Sequence, residues 1–390
     1  GDIRGSTAAS TMDELAGASG THELVEKHVL RRYELCQRLS MGSYGVVWKA
    51  IEKRSRKLVA LKKCYQAFRD PVDAQRTYRE VMYLTKLAGH DNLVRMLQVI
   101  KAESDEDVYL IFEYMETDLF SVISADSRHS LLGEIHKKYI IYQLLKVVKF
   151  LHSADVIHRD IKPSNILMNR NCHIKLCDLG MCRSIAEPDG PSPILTDYVA
   201  TRWYRAPEVL LGSSHYGPGV DIWGIGCVLA ELLLHRPLFM GKSTMHQVEK
   251  IIEVSGRPRS DDVTALKSPY AATMLEAIPP TRPLSLPVML PDASSEAVDF
   301  ISQCITFSPQ KRCNVDNALR HPYVAEFHDP DDEPIYAEGA IRIECDDNIQ
   351  LHAKDYRQKL YDEIERRKAK ARKDEILKLK RPSQTVLVVV

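Results

Sequence analysis

The chain has 390 residues, more than one hydrophobic core usually accommodates, so two lobes with terminal extensions are expected. Its 53 basic and 53 acidic residues balance, which argues against a nucleic-acid-binding surface or a membrane-surface protein. The nine cysteines, an odd number without a C-x-x-C pair, argue against a disulfide framework and favour a reducing setting inside the cell, in the cytoplasm or the nucleus.

A small β-rich lobe is predicted for residues 33–115, after a flexible N-terminal extension, residues 1–32, whose first part is rich in small residues. Alternating apolar segments and turn residues predict strands that begin as an antiparallel meander. The predicted strands are 33–39, 46–52, 58–63, 96–102 and 108–114. Asp70-Pro71 is a good helix start, and the buried face of that helix is expected to carry Tyr78, Val81, Leu84 and Ala88.

A larger α-rich lobe is predicted for residues 116–324, because the apolar spacing becomes helical after Met115. One long helix is expected to bury Ile140, Leu144, Val147 and Leu151. Residues 325–390 are predicted to form a C-terminal extension with an acidic segment and a basic helix that lies on the folded body. No apolar run approaches the length of a membrane span, so no membrane partner is expected.

The stretch from Val156 to Gly180 carries the side chains that phosphoryl transfer needs. Asp160 would accept the proton of an incoming hydroxyl, and Lys162 would neutralise charge on the moving phosphate. Asn165 and Asp178 offer the hard oxygen ligands that Mg²⁺ prefers. We expect His158, in the same loop, to be a packed structural residue, since a carboxylate serves as the base.

Two further segments of the small lobe fit a nucleotide site. Residues 40–47 resemble a glycine-rich loop that covers ATP phosphates, with Gly42 and Gly45 in place. The segment Val-Ala-Leu-Lys ends at Lys62, which would point from a strand at the α and β phosphates. Glu80 is the expected ion-pair partner of Lys62.

From Tyr33 to about Val324 the chain resembles the eukaryotic protein kinases. The TDY triplet followed by VATRWYRAPE, and the HDPDDEP extension, resemble the mitogen-activated protein kinases, in particular the atypical extracellular-signal-regulated branch. The resemblance implies an α+β, bilobal protein kinase fold with a small antiparallel β-rich N-lobe and a larger α-helical C-lobe. It also implies a structural pair between Glu208 and Arg312.

The resemblance implies a serine/threonine protein kinase that uses ATP and Mg²⁺ and modifies Ser or Thr followed by Pro. Its catalytic residues would be Asp160, Lys162 and Asn165, with Asn165 and Asp178 holding the metal. Backbone groups of Glu113 and Met115 would contact adenine. The residues implied to surround ATP are Leu39, Ser40, Gly42, Gly45, Val47, Ala60, Lys62, Glu80, Glu113 and Met115.

Regulation and partners are implied in the same way. Thr196 and Tyr198 match paired activation phosphosites, and the atypical branch tends to phosphorylate its own loop. Arginines that match the clusters facing these sites are Arg76, Arg79, Arg159, Arg183, Arg202 and Arg205. Asp329 and Asp332 match an acidic docking site for basic peptides. The expected partners are protein substrates with Ser-Pro or Thr-Pro sites, docking peptides and an upstream kinase or phosphatase; the chain itself is expected to be a monomer.

Two departures leave alternatives open. Ser40 replaces the first glycine of the loop, and Leu179 replaces the Phe of the D-F-G motif. A scaffold that has lost catalysis and works by docking is one alternative, although such a protein would be expected to lack Lys62, Asp160 or Asp178. A cyclin-dependent-like kinase is another, because such kinases also carry a TDY triplet.

Overall fold

The computed structural model describes residues 25–42, 45–129, 131–186, 202–213, 216–280, 282, 284–345 and 349–380. These residues form two compact units. The first draws its described residues from 1–78, 97–112 and 351–390, and the second from 79–96 and 113–350.

The strands are β1 (Tyr33–Gly42), β2 (Gly45–Glu52), β3 (Leu58–Cys64), β4 (Met96–Lys101), β5 (Val108–Glu113), β6 (Thr117–Asp118), β7 (Val156–Ile157), β8 (Ile166–Met168), β9 (Ile174–Leu176) and β10 (Arg183–Ser184). The helices are α1 (Lys27–Leu30), α2 (Pro71–Lys86), α3 (Leu119–His129), α4 (Glu134–Ser153), α5 (Pro207–Leu210), α6 (Gly219–Leu234), α7 (Thr244–Ser255), α8 (Ser260–Ala265), α9 (Ala271–Glu276), α10 (Leu286–Met289), α11 (Ser295–Cys304), α12 (Val315–Leu319) and α13 (Ala353–Lys380). Short 3₁₀ turns cover Pro163–Asn165, Leu179–Met181, Arg202–Tyr204 and Pro330–Asp332.

A five-stranded sheet of order β1-β2-β3-β5-β4 forms the body of the first unit, and its first three strands are the predicted antiparallel meander. Alternate residues of β2, including Val46 and Trp48, point into the core of this unit, as a half-buried strand requires. Val25 and Val29 are buried in the same core. The folded part therefore begins before Tyr33, within the segment predicted to be a flexible extension.

Helix α2 begins as predicted, because the Asp70 carboxylate accepts hydrogen bonds from the N–H groups of Val72 and Asp73 at 2.9 and 3.0 Å. Tyr78, Val81 and Leu84 are buried, in agreement with the predicted face. Ala88 is exposed, contrary to the prediction. The helix ends at Lys86, so the helical spacing that placed Ala88 on the buried face no longer applies there.

The last helix, α13, belongs to the first unit. Tyr356 and Leu360 are fully buried. The ring of Tyr356 packs against the ring of Tyr78, with 5.7 Å between their centroids, and Tyr361 packs against Phe68 at 6.1 Å. The predicted basic C-terminal helix is thus present, and its N-terminal part packs on the folded body as expected.

The second unit is mainly helical. The four residues predicted to be buried on the long helix, Ile140, Leu144, Val147 and Leu151, are all buried in α4. Helix α4 packs against α6, which is buried from Val220 to Leu232. Strand β7, paired with β10, and the sheet β6-β8-β9 border the loop that follows α4. Among the residues that the structure describes, no helix combines the length and apolarity that a membrane crossing requires.

Candidate active site

A buried histidine organises the loop after β7. The ring Nε2 of His158 donates to the Cys177 carbonyl at 3.1 Å, because a carbonyl can only accept. Nδ1 of the same ring accepts the N–H of Asp160 at 3.3 Å. These two contacts engage both ring nitrogens and hold the ring in one orientation. His158 is therefore the packed structural residue that the sequence predicted.

Asp221, near the start of helix α6, binds the backbone of the same loop. Its buried carboxylate accepts the N–H groups of His158 and Arg159 at 2.9 and 2.8 Å, and His152 Nε2 lies 2.9 Å away. Burial raises the pKa of Asp221, but the hydrogen bond and charge of His152 and the contact with His158 lower it, and the net pKa lies below the ordinary value. Arg159 has a left-handed φ of 67°, and the hydrogen bond from its N–H to Asp221 helps to hold this strained conformation.

Lys162 and Asn165 both contact the same carboxylate oxygen of Asp160. Lys162 Nζ lies 2.7 Å from Asp160 Oδ2, and the side-chain amide of Asn165 donates to the same oxygen at 2.9 Å. The Asn165 amide also donates to the Asp160 backbone carbonyl at 2.9 Å. Both side-chain contacts fall on Oδ2 rather than on Oδ1.

The donor set around Asn165 and Asp178 fits a magnesium ion. Because the Asn165 amide nitrogen is turned toward Asp160, its oxygen is turned away and can serve as a ligand. The Cys177 N–H donates to the Asn165 carbonyl at 2.9 Å, which brings the segment before Asp178 next to Asn165. Asp178 has a left-handed backbone and accepts the Gly180 N–H at 3.4 Å. A carboxylate and an amide oxygen on neighbouring segments are suitable magnesium ligands.

Arg159 is one of the predicted arginines that lie in this unit. Its Nε donates to the Met181 carbonyl at 2.5 Å and its guanidinium donates to the Tyr216 hydroxyl at 2.6 Å. Arg183 lies on β10, which pairs with β7 immediately before the loop. Thr196 and Tyr198, the predicted phosphorylation sites, lie outside the described residues.

The glycine-containing hairpin lies in the first unit. Ser40 pairs with Val47, and Gly42 pairs with Gly45 across the end of the hairpin. A Cβ atom on Gly45 would lie 2.1 Å from the Lys63 carbonyl oxygen, and the residue has a φ of +152°, so only glycine fits here. Leu39, also on β1, is partly exposed. The structure thus explains one of the two glycines by the close approach of β3.

Strand β3 carries the other predicted nucleotide residues of the first unit. Lys62 pairs with Val47 and Ala60 pairs with Lys49, so Lys62 lies opposite the base of the glycine hairpin. Its neighbour Lys63 instead forms an ion pair with Asp107 at 3.1 Å and lies over the ring of Tyr65. The alternation along β3 therefore separates a structural lysine from the predicted phosphate-binding one.

The remaining predicted nucleotide residues belong to the second unit. Glu80 is buried on α2, whereas its expected partner Lys62 is in the first unit, so their ion pair stays a prediction. Glu113 is held by the Arg95 N–H at 2.7 Å and by Lys175 at 3.1 Å, and its own N–H donates to the Arg95 carbonyl. The contact of its backbone with adenine stays a prediction. Met115 is half-buried two residues further on.

A buried ion pair supports this unit away from the catalytic loop. Arg312 donates to both carboxylate oxygens of Glu208 at 2.8 and 3.0 Å, and its guanidinium lies over the Trp223 ring, 5.1 Å from the centroid. Both charged side chains are almost completely buried. The predicted structural pair is confirmed, and its bidentate geometry satisfies the buried charges.

The acidic segment after helix α12 forms ion pairs with lysines of the same chain. Asp332 forms an ion pair with Lys146 of α4 at 2.5 Å, and Glu333 pairs with Lys149 at 3.0 Å. Asp329 caps the short turn by accepting the Asp331 N–H at 3.0 Å. Asp329 and Asp332 nevertheless stay exposed.

Asp221 and His152 are the site residues for which sequence reasoning gave no role. Both lie on helices, Asp221 is far in sequence from Asp160, and its contacts with the loop and with His152 arise only when α4 and α6 pack together. The available signal was an acidic residue near the start of a helix that is otherwise apolar, because such a residue needs buried partners.

Comparison with known proteins identifies relatives along most of the chain. The model of the protein kinase domain family matches residues 33–324. Extracellular signal-regulated kinase 2 of Dictyostelium discoideum is 51% identical over 354 residues, covering 90% of this chain and 95% of the relative. Mitogen-activated protein kinase 15 of Xenopus laevis is 46% identical over 359 residues, covering 91% of this chain and 61% of the relative. The protein of the same name from Caenorhabditis elegans is 45% identical over 352 residues, covering 88% and 74%.

Proposed function

Because the chain belongs to the mitogen-activated protein kinases, we propose that Asp160, Lys162 and Asn165 carry out its phosphoryl transfer to Ser or Thr followed by Pro. An ATP-dependent serine/threonine protein kinase activity that uses Mg²⁺ is the family's chemistry. Its partners are accordingly protein substrates and regulators. The arrangement of these three side chains around a single carboxylate oxygen carries the proposal.

In this proposal Asp160 is the base for the substrate hydroxyl. Lys162 and Asn165 both hold Oδ2, so the carboxylate is oriented and Oδ1 can accept the hydroxyl proton. Lys162 is within reach of the transferred phosphoryl group because it already lies beside the base. The two contacts keep the carboxylate in one orientation, which is the main contribution a protein makes to this reaction.

Asn165 and Asp178 would hold the metal. When bound, Mg²⁺ neutralises charge on the ATP phosphates. Asn165 contributes its amide oxygen, since its nitrogen is committed to Asp160. Asp178 contributes a carboxylate from a strained left-handed backbone that the Gly180 N–H supports.

The residues that we assign to the nucleotide come from both units. Gly42 and Gly45 shape the hairpin over the phosphates, and Lys62 supplies a cation for them. In the second unit Glu80 would orient Lys62, and the Glu113 carbonyl with the Met115 backbone would contact adenine. The other contacts we assign to ATP are Leu39, Ser40, Val47 and Ala60.

The test of this function is a peptide library presented to the purified chain with Mg-ATP. Phosphate incorporation at Ser or Thr followed by Pro, absent when Pro is replaced by Ala, is the expected result. Incorporation without preference for Pro would remove the specificity from the proposal. Stimulation by a cyclin would indicate a cyclin-dependent-like kinase instead.

Regulation through the TDY triplet is part of the proposal. Thr196 and Tyr198 would be phosphorylated, by the chain itself or by an upstream kinase, and a phosphatase would reverse the change. A phosphate brings nearly two negative charges and three acceptor oxygens, which arginines bind well. Arg159 lies in the catalytic loop, and Arg183 lies on β10, which pairs with β7 directly before that loop; both positions support this assignment.

Docking of basic peptides at Asp329 and Asp332 is also proposed. Lys146 already neutralises part of Asp332, so a basic peptide must compete with that ion pair. We expect the double variant Asp329→Asn, Asp332→Asn to weaken binding of a Lys/Arg-rich docking peptide about tenfold, as measured by fluorescence anisotropy at low salt. Asp261→Asn, at an exposed site elsewhere, is the matched control. Equal affinity in the double variant would exclude this docking site.

A further inference from the structure

Two cysteines face each other at the end of helix α11. The Sγ atoms of Cys304, the last residue of α11, and Cys313 lie 3.9 Å apart. Their backbones are adjacent as well, because the Cys313 N–H donates to the Gln303 carbonyl at 3.2 Å. Cys304 is completely buried, whereas Cys313 is half-buried. An oxidant in solution therefore reaches Cys313 first.

The surroundings of the two thiols also make Cys313 easier to deprotonate than Cys304. Burial raises the pKa of Cys304. The hydrogen bond with Cys304 and the nearby Arg312 guanidinium lower the pKa of Cys313, against the effect of burial. A thiol that is more exposed and more easily deprotonated is the nucleophile of such a pair, and a buried thiol beside it resolves the intermediate.

We propose that Cys304 and Cys313 form a reversible disulfide when the protein meets hydrogen peroxide. The Cys313 thiolate attacks a peroxide oxygen, so an S–O bond forms, the O–O bond breaks and the hydroxide that leaves takes up a proton to become water. The Cys304 sulfur then attacks the sulfenic sulfur of Cys313. An S–S bond forms, the S–O bond breaks and the Cys304 proton leaves with the hydroxyl as a second water. Two thiols lose two electrons in total, and one peroxide molecule is reduced to two waters.

The movement that this step requires is small. The sulfurs must approach by about 2 Å to reach the length of a disulfide bond. A Cβ atom added to Gly226 of α6 would lie 2.6 Å from the Cys304 Cβ, so Cys304 is packed tightly on that helix. The approach therefore requires rotation of the two side chains and movement of the loop that carries Cys313.

The disulfide would close a loop of residues 304–313, which contains Arg312 of the buried pair with Glu208. Arg312 directly precedes Cys313 and donates to both carboxylate oxygens of Glu208. It also donates to the Gly219 carbonyl at 2.5 Å, at the start of α6. Fixing Cys313 to α11 restrains the backbone beside Arg312. Oxidation is thus expected to raise the melting temperature, and dithiothreitol is expected to reverse the rise.

Peptide mapping tests the proposal directly. Lys311 and Arg312 lie between the two cysteines, so trypsin separates them onto residues 268–311 and 313–320. The reduced full chain is treated with hydrogen peroxide, its remaining thiols are blocked with N-ethylmaleimide, and the digest is analysed by mass spectrometry without reduction. The expected product is the two peptides joined through Cys304 and Cys313, and it disappears after dithiothreitol.

Matched variants make the result decisive. Cys36→Ser removes an exposed thiol and should leave the linked peptides unchanged, whereas Cys313→Ser should abolish them. Alkylation of both Cys304 and Cys313 at a peroxide dose that oxidises the exposed Cys36 would overturn the proposal. Conversion of Cys313 to a sulfinic acid without any linked product would overturn it as well.

Discussion

Asp221 holds the catalytic loop through main-chain contacts rather than through the reacting groups. Its carboxylate accepts the N–H groups of His158 and Arg159, the two residues directly before Asp160. A buried carboxylate of this kind is stable only with several donors, and His152 supplies the third. The position of Asp160 thus depends on a residue of another helix.

The substitution Asp221→Asn tests this role through its pH dependence. The variant should lose about 1–3 kcal/mol of unfolding free energy at neutral pH, because an amide nitrogen then faces a backbone donor. The folded-state pKa of Asp221 lies below its unfolded value of 3.8. The stabilisation by the charged carboxylate is therefore complete above that value and is lost as the pH falls toward the folded-state pKa.

Urea unfolding of the wild type and the variant measures this effect. The difference in unfolding free energy between them should shrink between about pH 5 and about pH 3. Asp261→Asn makes the same chemical change at an exposed site and should show little difference at any pH. A deficit of Asp221→Asn that is independent of pH would contradict the assignment of the charge to Asp221.

At the same scale, the sequence predicted the reacting groups but not their support. Asp160, Lys162 and Asn165 are close in the chain, so their spacing alone indicated a common site, and the structure brings them to one oxygen. Asp221 reaches the loop and His152 only through helix packing, which spacing along the chain does not encode. Motifs that are local in sequence indicate the proposed reacting groups, whereas tertiary contacts orient the loop that holds them.

At the scale of elements, helix α13 completes the first unit. Tyr356 is buried against Tyr78 of α2, and its hydroxyl accepts the Leu351 N–H at 3.2 Å. Arg357 donates to the Asp105 carbonyl at 2.9 Å, beside the turn between β4 and β5. The helix therefore covers apolar side chains of the unit with its N-terminal turns.

Truncation of this contact should destabilise the first unit. Tyr356→Ala removes a buried aromatic ring and leaves a cavity, for which we expect a loss of about 3–5 kcal/mol in unfolding free energy. Hydrogen exchange should become faster in α13 and in the first turns of α2. Gln358→Ala, an exposed change on the same helix, serves as the control. Unchanged exchange in Tyr356→Ala would mean that α13 does not contribute to this unit's stability.

Elements with strong periodicity were predictable, and their ends were not. The three strands of the meander and the buried face of α4 follow the predicted spacing. Ala88 departs from its predicted face because α2 ends at Lys86, which the apolar pattern did not indicate. Val25 and Val29 join the core of the first unit although the predicted flexible extension, residues 1–32, included both of them. In both cases packing decided where an element begins or ends.

At the scale of the whole molecule, the residues assigned to the reaction are distributed over both units. The glycine hairpin and Lys62 belong to the first unit, and Asp160, Asn165 and Asp178 belong to the second. The order of these motifs along the chain and the match to the protein kinase domain agree on the family. The individual roles of the residues, the regulation by Thr196 and Tyr198 and the location in the cytoplasm or nucleus stay predictions.

The most direct measurement of the proposed mechanism compares the wild type with Asp160→Asn, starting from phosphatase-treated protein incubated with Mg-ATP. The turnover number toward a Ser-Pro peptide should fall roughly 10²- to 10⁴-fold in the variant, and its melting temperature should stay close to that of the wild type. Mass spectrometry of the same samples should find new phosphate on Thr196 and Tyr198 in the wild type alone. Equal turnover of a folded variant would contradict the role of Asp160, and a wild type that stays silent after phosphorylation of both loop residues would indicate a scaffold.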